Sequence, residues 1–398
     1  MKYAFLGNMN NMGFVLAREM KKQNLDVTLF IDADRDYILD RPESFDPDIR
    51  MPFPDWIIEL DGAQKKKIQR PFLLFFQKKT CLKLLEDFDV IILNGYWISL
   101  GKFIPRQKKV IIFFAGFDLD VLGDLNSVDY FLRQQKSSLL TRILRPLLKL
   151  KYKAVIKQHR SGITRADGIN YFPKGINPAG DAIIDALKAG TVYKRLALRG
   201  FPFDNIRYQP FLKKDKFTIL NFTRFFFLDT HRNDNKRNDI MIAGIAEFVR
   251  SNKVSTHDCE IVFIEKGEDL EEAKKMCDEL GISEFIMWKA QMSHLELNAL
   301  IVESDVVFDQ LGNQWMGYGI VAMSLGRPVI ANGRPDVFDP LTGEKSPVCN
   351  AVNAKEVSDW LSLLYNNENK KIEIGKASSV YIHKHYDLKK TIDFIVSI

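Results

Sequence analysis

The sequence predicts an α/β chain made of two doubly wound domains in tandem. Three observations point there. Unbroken apolar runs of strand length, such as DVIILNG (89–95) and KVIIFFAG (109–116), suit strands covered on both faces. These runs alternate with helical segments, which makes consecutive strands parallel. The alternation is interrupted at residues 196–216 and restarts at 217.

Each element follows in order. YAFLG opens as a short buried strand, NMNNMG is a polar loop, FVLAREMKKQ a helix and DVTLFID the next strand. This is a βαβ unit. DVIILNG, KVIIFFAG and DGINYFP (167–173) extend the sheet. The segment ALRGFPFDNIRYQPFLKKDKF breaks the periodicity with prolines and a glycine and reads as a linker. It separates a first domain, residues 1–200, from a second, residues 201–398. In the second, FTILNFT, CEIVFIEKG, EFIMW, DVVFDQ and PVIAN are strands. NDIMIAGIAEFVRS, EDLEEAKKMCDELG, SHLELNALIVES and GIVAMSLG are the helices between them. The tail, 354–398, is helical, and its last helix is a candidate to pack back on the first domain.

Composition narrows the class. The chain has 398 residues, 46% hydrophobic and 27% charged, the balance of a globular protein and not of a disordered or fibrous one. Four scattered cysteines (Cys81, Cys259, Cys277, Cys349) lack metal or CxxC spacing and read as reduced thiols of a cytoplasmic protein. The six histidines form no zinc pattern. The first apolar run breaks at Gly7 and Asn8 and reads as a strand, not a signal peptide, and no run reaches the roughly 18 apolar residues of a spanning helix. The formal charge of +6 is unevenly spread. Residues 1–200 carry 33 Lys/Arg and 22 Asp/Glu, or +11; the remainder carries 57−33=24 and 51−22=29, or −5. An anionic surface would therefore meet the first half.

Two such domains place ligands at the carboxyl ends of their sheets. The first loop, Gly7–Gly13, lacks the middle glycine of a dinucleotide fingerprint and holds Asn10 and Asn11 instead, which disfavours a nicotinamide enzyme. It ends at a helix N-terminus that favours anions; an ordinary βα turn explains the loop as well. In the second domain Arg224 follows a strand and Lys236 precedes a helix, the two places from which cations reach a diphosphate. A solvated charge run has the same composition.

In linear order these segments resemble the retaining family 4 glycosyltransferases. Lys236-Arg237-Asn238-Asp239 is similar to the family's Lys-Gly-x-Asp turn. IEKGEDLEEAKKMCDELGISEFIMW resembles its strand–Gly–helix–Glu-Leu-Gly-Ile–strand passage, and SDVVFDQLGNQWMGYGIVAMSLGRPVIANG (304–333) its most recognisable segment. AGFDLD (115–120) is similar to its Gly-x-Asp turn, and FPFDNIRYQP (201–210) to its interdomain link. The match covers most of residues 200–333 and is patchy before them.

The resemblance implies a GT-B fold: two Rossmann-like domains facing a central cleft, donor in the second, acceptor in the first. It implies a hexosyltransferase-like, retaining enzyme that moves a sugar from a nucleotide-diphosphate donor to a glycan or lipid-linked acceptor in cell-surface polysaccharide synthesis. Arg224 and Lys236 would hold the diphosphate. Gly317, Tyr318, Gly319 and Ile320 would bring backbone N–H groups to phosphate and sugar. Glu265, Trp288, Gln291 and Met292 would also line the donor site, with Trp288 to Met292 near the base. On the first domain, Asn10, Asn11 and Gly13 are the loop candidates. Asp118 would position a sugar or merely stabilise its turn. The family's Glu-x7-Glu pair falls on Asn313 and Val321, neither acidic. Val321 cannot accept hydrogen bonds from ribose, so Asp309-Gln310 at the strand end is the candidate replacement. No metal is expected, because no paired-Asp motif stands out and cations can stabilise the leaving diphosphate. The donor is a substrate; no other cofactor is expected.

Two stretches read as membrane-directed. QKKKIQRPFLLFFQKK (64–79) interleaves lysines with Phe72–Phe76. Residues 131–160 are basic and contain no Asp or Glu. A peripheral position on the inner face of the cytoplasmic membrane follows; a core-packed helix with a solvated basic face fits equally. No nucleic-acid motif accompanies the charge. A sugar-nucleotide epimerase and a non-catalytic binding or assembly subunit remain as alternatives.

Overall fold

The computed structural model describes residues 1–32, 40–46, 48–60, 79, 82–133, 139–201, 206–230, 232, 234–313 and 316–398. The chain divides into two compact units. The first comprises Met1–Pro173, Pro178–Gly200 and Leu388–Ile398; the second comprises Lys174–Asn177 and Phe201–Asp387.

Strands β1 (Lys2–Leu6), β2 (Asp26–Asp32), β3 (Ile57–Leu60), β4 (Val90–Leu93), β5 (Lys109–Phe113), β6 (Gly168–Asn170) and β7 (Lys194–Leu196) form the first sheet. Strands β8 (Phe217–Asn221), β9 (Cys259–Ile264), β10 (Ile286–Lys289), β11 (Val306–Phe308), β12 (Val329–Ala331) and β13 (Cys349–Asn350) form the second. Among the described residues the α-helices are α1 (Met12–Lys22), α2 (Phe117–Asp120), α3 (Val128–Arg133), α4 (Leu139–Arg165), α5 (Pro178–Lys188), α6 (Asn238–Ser251), α7 (Leu270–Glu279), α8 (His294–Glu303), α9 (Gly319–Ser324), α10 (Pro335–Thr342), α11 (Ala354–Asn366), α12 (Glu368–His385) and α13 (Leu388–Val396).

The first sheet has the order β3-β2-β1-β4-β5-β6-β7 and the second β10-β9-β8-β11-β12-β13. Among the described residues every pairing is parallel. Strand order therefore reverses between β1 and β4 in one sheet and between β8 and β11 in the other. At such points adjacent connections leave in opposite directions and open a crevice at the carboxyl ends of the strands.

The apolar runs behave as two-faced strands. In β1, Tyr3 and Phe5 pack on one face with Phe14, Leu16 and Ile392, while Ala4 and Leu6 pack on the other with Trp97, Ile98 and Ile163. One core of the first unit thus lies under α1 and α13. The other lies under α4, α5 and the 3-10 run Gly95–Phe103. The second unit centres on Ile219, Phe248, Phe263, Val306 and Phe308. Cys259, Cys277 and Cys349 are buried there, and burial pushes each thiol up to about 12, so they are inert core groups.

Helix α4 has two characters. Its C-terminal half buries Ile156, His159 and Ile163. Its N-terminal half exposes Ile143 (67%), Leu147 (62%) and Leu150 (64%), whose i, i+4, i+7 spacing puts them on one face. Arg142, Arg145, Lys149, Lys151 and Lys153 are exposed among and beyond them. The other basic stretch, 64–79, lies outside the described residues apart from Lys79. Among the described residues, no helix is long and apolar enough to cross a membrane.

Gly162 lets α4 touch the 3-10 run: a Cβ there would lie 1.9 Å from the Ile98 carbonyl oxygen. Gly162→Ala should therefore cost about 2–3 kcal/mol in urea unfolding by forcing the two segments apart. An unchanged midpoint and slope would contradict this packing.

Candidate functional site

The carboxyl end of the second sheet gathers the charged residues. The loop after β8 carries Arg224, Arg232, Asp234 and Lys236; the loop after β11 carries Asp309 to Tyr318. The two loops are pressed together. The Leu311 N–H donates to the Lys236 carbonyl at 3.1 Å. A Cβ on Gly312 would lie 1.9 Å from the Asn235 carbonyl oxygen, so only glycine fits this approach.

Asp234 organises the cations. Arg232 donates to it through Nε (2.8 Å) and Nη2 (2.7 Å), and Arg224 also pairs with it. Burial pushes the Asp234 carboxyl up, but the Arg232 hydrogen bond and the charges of Arg232, Arg224 and Lys236 outweigh this and hold it below its ordinary value. Both guanidinium groups lie over the Phe226 ring, Arg224 at 5.2 Å and Arg232 at 4.4 Å from its centroid. Lys236 donates to the Gln310 side-chain oxygen. Arg224, Lys236 and Gln310 thus meet at one switch point.

Asp309 is buried, and its carboxylate is turned inward. One oxygen accepts from the Gln310 N–H at 2.7 Å; the other accepts from Gly317 (3.0 Å) and Gly319 (2.8 Å). The N–H groups of Gly317 and Gly319, expected to face phosphate, are taken up by this side chain. Asp309 shapes the loop and does not offer an outward acceptor for ribose. Burial raises its pKa, more than the three N–H donors and the Lys236 charge lower it. Val321 is fully buried in the core, and Asn313 is exposed. Ile320 is half-buried at the start of α9.

Tyr318 lies among aromatic rings. Phe222 and Phe201 meet it edge-on at 5.9 and 6.5 Å, the His294 ring is 5.0 Å away, and its hydroxyl donates to Asn298 at 2.8 Å. Burial and the Lys266 charge push His294 down to about 4, so it is neutral at physiological pH.

The β9 and β10 candidates are less open. Glu265 pairs with Lys274 at 2.9 Å. Trp288 packs against Phe225 and Phe263 at the edge of the core, with Lys274 over its ring at 5.4 Å. Gln291 is exposed and Met292 half-buried in the loop after β10.

The first unit has its own switch point. Gly13 is buried where a Cβ would lie 2.5 Å from the Gly7 carbonyl oxygen. Asn10 and Asn11 both have positive φ, 54° and 56°. Asn10 is exposed, whereas Asn11 is buried and donates to Arg41 O (2.8 Å) and Ser44 Oγ (3.0 Å). The Asn8 side chain accepts from the Phe14 N–H, in the first turn of α1, at 2.7 Å. Asn94, which sequence reasoning missed, ties β4 to the first loop: it accepts from the Met9 N–H at 2.8 Å and donates to Phe113 O at 2.7 Å. Asp118 is fully buried. One oxygen accepts from Ala115 (2.9 Å) and Gly116 (3.0 Å), the other from Gly95 (3.1 Å). It therefore locks the β4 and β5 loops together. Arg199 lies close enough to feel its charge; burial nevertheless pulls the guanidinium down to about 10.

No protein-family model matches the chain, and no curated protein matches it. Solved structures do. Sucrose-phosphate synthase from Thermosynechococcus elongatus is similar with a TM-score of 0.63 and 13% identity, over 100% of this chain and 97% of that one. HepE of Anabaena, in complex with UDP and glucose, is similar at 0.61 and 12%, over 100% and 98%. WaaG, a glycosyltransferase involved in lipopolysaccharide biosynthesis, is similar at 0.59 and 12%, over 100% of both chains. The chain has the GT-B fold that these glycosyltransferases share.

Asp118 predicts a pH effect. Burial outweighs its backbone hydrogen bonds and raises its pKa from 3.8 to about 6. The protonated form is thus favoured by folding: this contribution is full below about 3.8 and is lost as pH rises through about 6. Between pH 7 and pH 4 it should supply on the order of 3 kcal/mol. Urea unfolding of wild type and Asp118→Asn should diverge in pH dependence by that amount; parallel profiles would refute it.

Proposed function

We propose that this chain is a glycosyltransferase that takes a nucleoside-diphosphate sugar at the switch point of the second sheet. The observation that carries the reading is the convergence of Arg224 and Lys236 at the ends of β8 and β11, where a parallel sheet opens. HepE, solved with UDP and glucose, supports the ligand class. The cations neutralise charge as the glycosidic oxygen leaves with the diphosphate. By the family resemblance the reaction retains configuration and needs no metal, with a donor phosphate oxygen taking the acceptor proton. Asp118 acts through the loops it locks, since its carboxylate is already engaged. The acceptor is a glycan or lipid-linked sugar met by the first unit, in cell-surface polysaccharide synthesis.

The exposed face of α4 supports docking on the inner leaflet of the cytoplasmic membrane. Ile143, Leu147 and Leu150 would insert among acyl chains while the flanking cations meet anionic headgroups. A second reading, a binding subunit without turnover, is favoured by the buried Val321 and the inward Asp309.

Thermal unfolding with UDP, GDP, ADP, CDP and NAD separates these readings. A ligand at about 100 times its dissociation constant adds about 2.7 kcal/mol, a shift of a few degrees. One nucleoside diphosphate should raise the midpoint of wild type and not of Lys236→Ala. Turnover with that nucleotide's sugars supports the enzyme; binding without turnover over a broad acceptor panel supports the subunit. No shift with any diphosphate rejects the donor site. Separately, the protein should sediment with phosphatidylserine vesicles but not with phosphatidylcholine vesicles, and Leu147→Ser with Leu150→Ser should weaken this several-fold. Equal sedimentation with both lipids would refute leaflet docking.

A further inference from the structure

The site contains a cation that the sequence reading passed over. Lys266 follows β9 by two residues, in a Lys-Gly pair that looks like an ordinary turn. The fold fixes it beside the β8 loop. The Phe225 N–H donates to the Lys266 carbonyl at 2.7 Å, and the Asp269 N–H donates to the Phe225 carbonyl at 3.1 Å. Asp269 in turn accepts from the N–H groups of Phe227 (2.6 Å) and Leu228 (2.9 Å). Gly267 has φ +123°, and a Cβ there would lie 2.2 Å from the Phe225 carbonyl oxygen. Lys266 is thereby held between Arg224, whose charge it feels, and His294, which feels its own.

Lys266 sits beside a second cation. Lys266 is half-buried, and among the described residues its side chain has no hydrogen-bond or ion-pair partner. Its neighbour Glu265 is engaged with Lys274. Burial and the Arg224 charge both depress the Lys266 pKa. The other two cations are internally paired, Arg224 with Asp234 and Lys236 with Gln310. An anion arriving beside Arg224 would relieve the repulsion between the two cations and accept from both.

We propose that Lys266 is a third ligand-binding cation of this site, its ammonium donating to a phosphate oxygen of a nucleoside diphosphate whose other oxygens meet Arg224 and Lys236. The inference rests on the nucleotide reading above and adds a residue to it. It also assigns the site a preference for the diphosphate over the monophosphate of the same nucleoside, because three cations match the larger charge.

The test is calorimetric titration of the full chain with inorganic pyrophosphate and with the nucleoside diphosphates, monophosphates and nucleosides of the panel. Wild type, Lys266→Met, Lys266→Gln and Lys236→Ala are compared, each with its ligand-free unfolding midpoint. Both Lys266 variants should bind pyrophosphate and the preferred diphosphate roughly tenfold or more weakly. Their ligand-free midpoints should equal or exceed that of wild type, because a charge repelled by Arg224 has been removed. Wild-type affinity in either Lys266 variant, with Lys236→Ala impaired, overturns this inference and leaves the nucleotide reading standing. Weaker binding together with a lowered midpoint assigns Lys266 a structural role and also overturns it. No binding of any diphosphate by wild type removes the nucleotide reading, and this inference with it.

Discussion

Burial of both faces of each parallel sheet is the constraint on which everything else depends. With Tyr3 and Phe5 packed on one side of β1 and Ala4 and Leu6 on the other, neither face of that strand has room for polar chemistry. The chemistry is displaced to the strand ends, and there the backbone itself must be satisfied. Two buried aspartates do this. Asp309 accepts from three N–H groups after β11, and Asp118 from three after β4 and β5. Each leaves its carboxyl with a pKa raised by burial. The loops at both switch points are thus shaped from within.

That shaping bears on function in two directions. Asp234 gathers Arg224 and Arg232 over the Phe226 ring and pre-organises positive charge where a diphosphate is proposed to bind. The same economy of internal pairing consumes groups that a nucleotide would use. The N–H groups of Gly317 and Gly319 face a carboxylate, and Val321 stands where the family resemblance expects an acid. Donor recognition, on this account, leans on side-chain cations more than on a helix N-terminus, and Lys266 gives that account its third member. Tyr318, beside the Phe222, Phe201 and His294 rings, anchors the start of α9.

The doubly wound architecture was legible because its signal is local and strong: long apolar runs at 89–95, 109–116 and 217–223, separated by helices of ordinary length. The short edge strands were not. β3, β7 and β13 span four, three and two residues, too few for a period to show. Arg224, Lys236, Asp309 and Gln310 stood out as polar residues at strand ends, and the structure brings them to one switch point. What they do there was hidden, because the inward turn of Asp309 depends on a loop that returns eight to ten residues later. Glu265 and Trp288 had the right position in the chain but spend their side chains on Lys274 and on the core edge. Lys266 had no signal at all: its isolation follows from the stapling of two loops distant in sequence. For α4, composition showed a basic helix, but only packing shows that one half is buried and the other bare.

The central claim is that the second sheet's switch point binds the diphosphate of a nucleotide. A crystal structure of the chain with the nucleoside diphosphate that most stabilises it tests this directly. The account predicts phosphate density at the ends of β8 and β11, within hydrogen-bond distance of Arg224, Lys236 and Lys266. Phosphates bound instead at the Gly7–Gly13 loop of the first unit would contradict it.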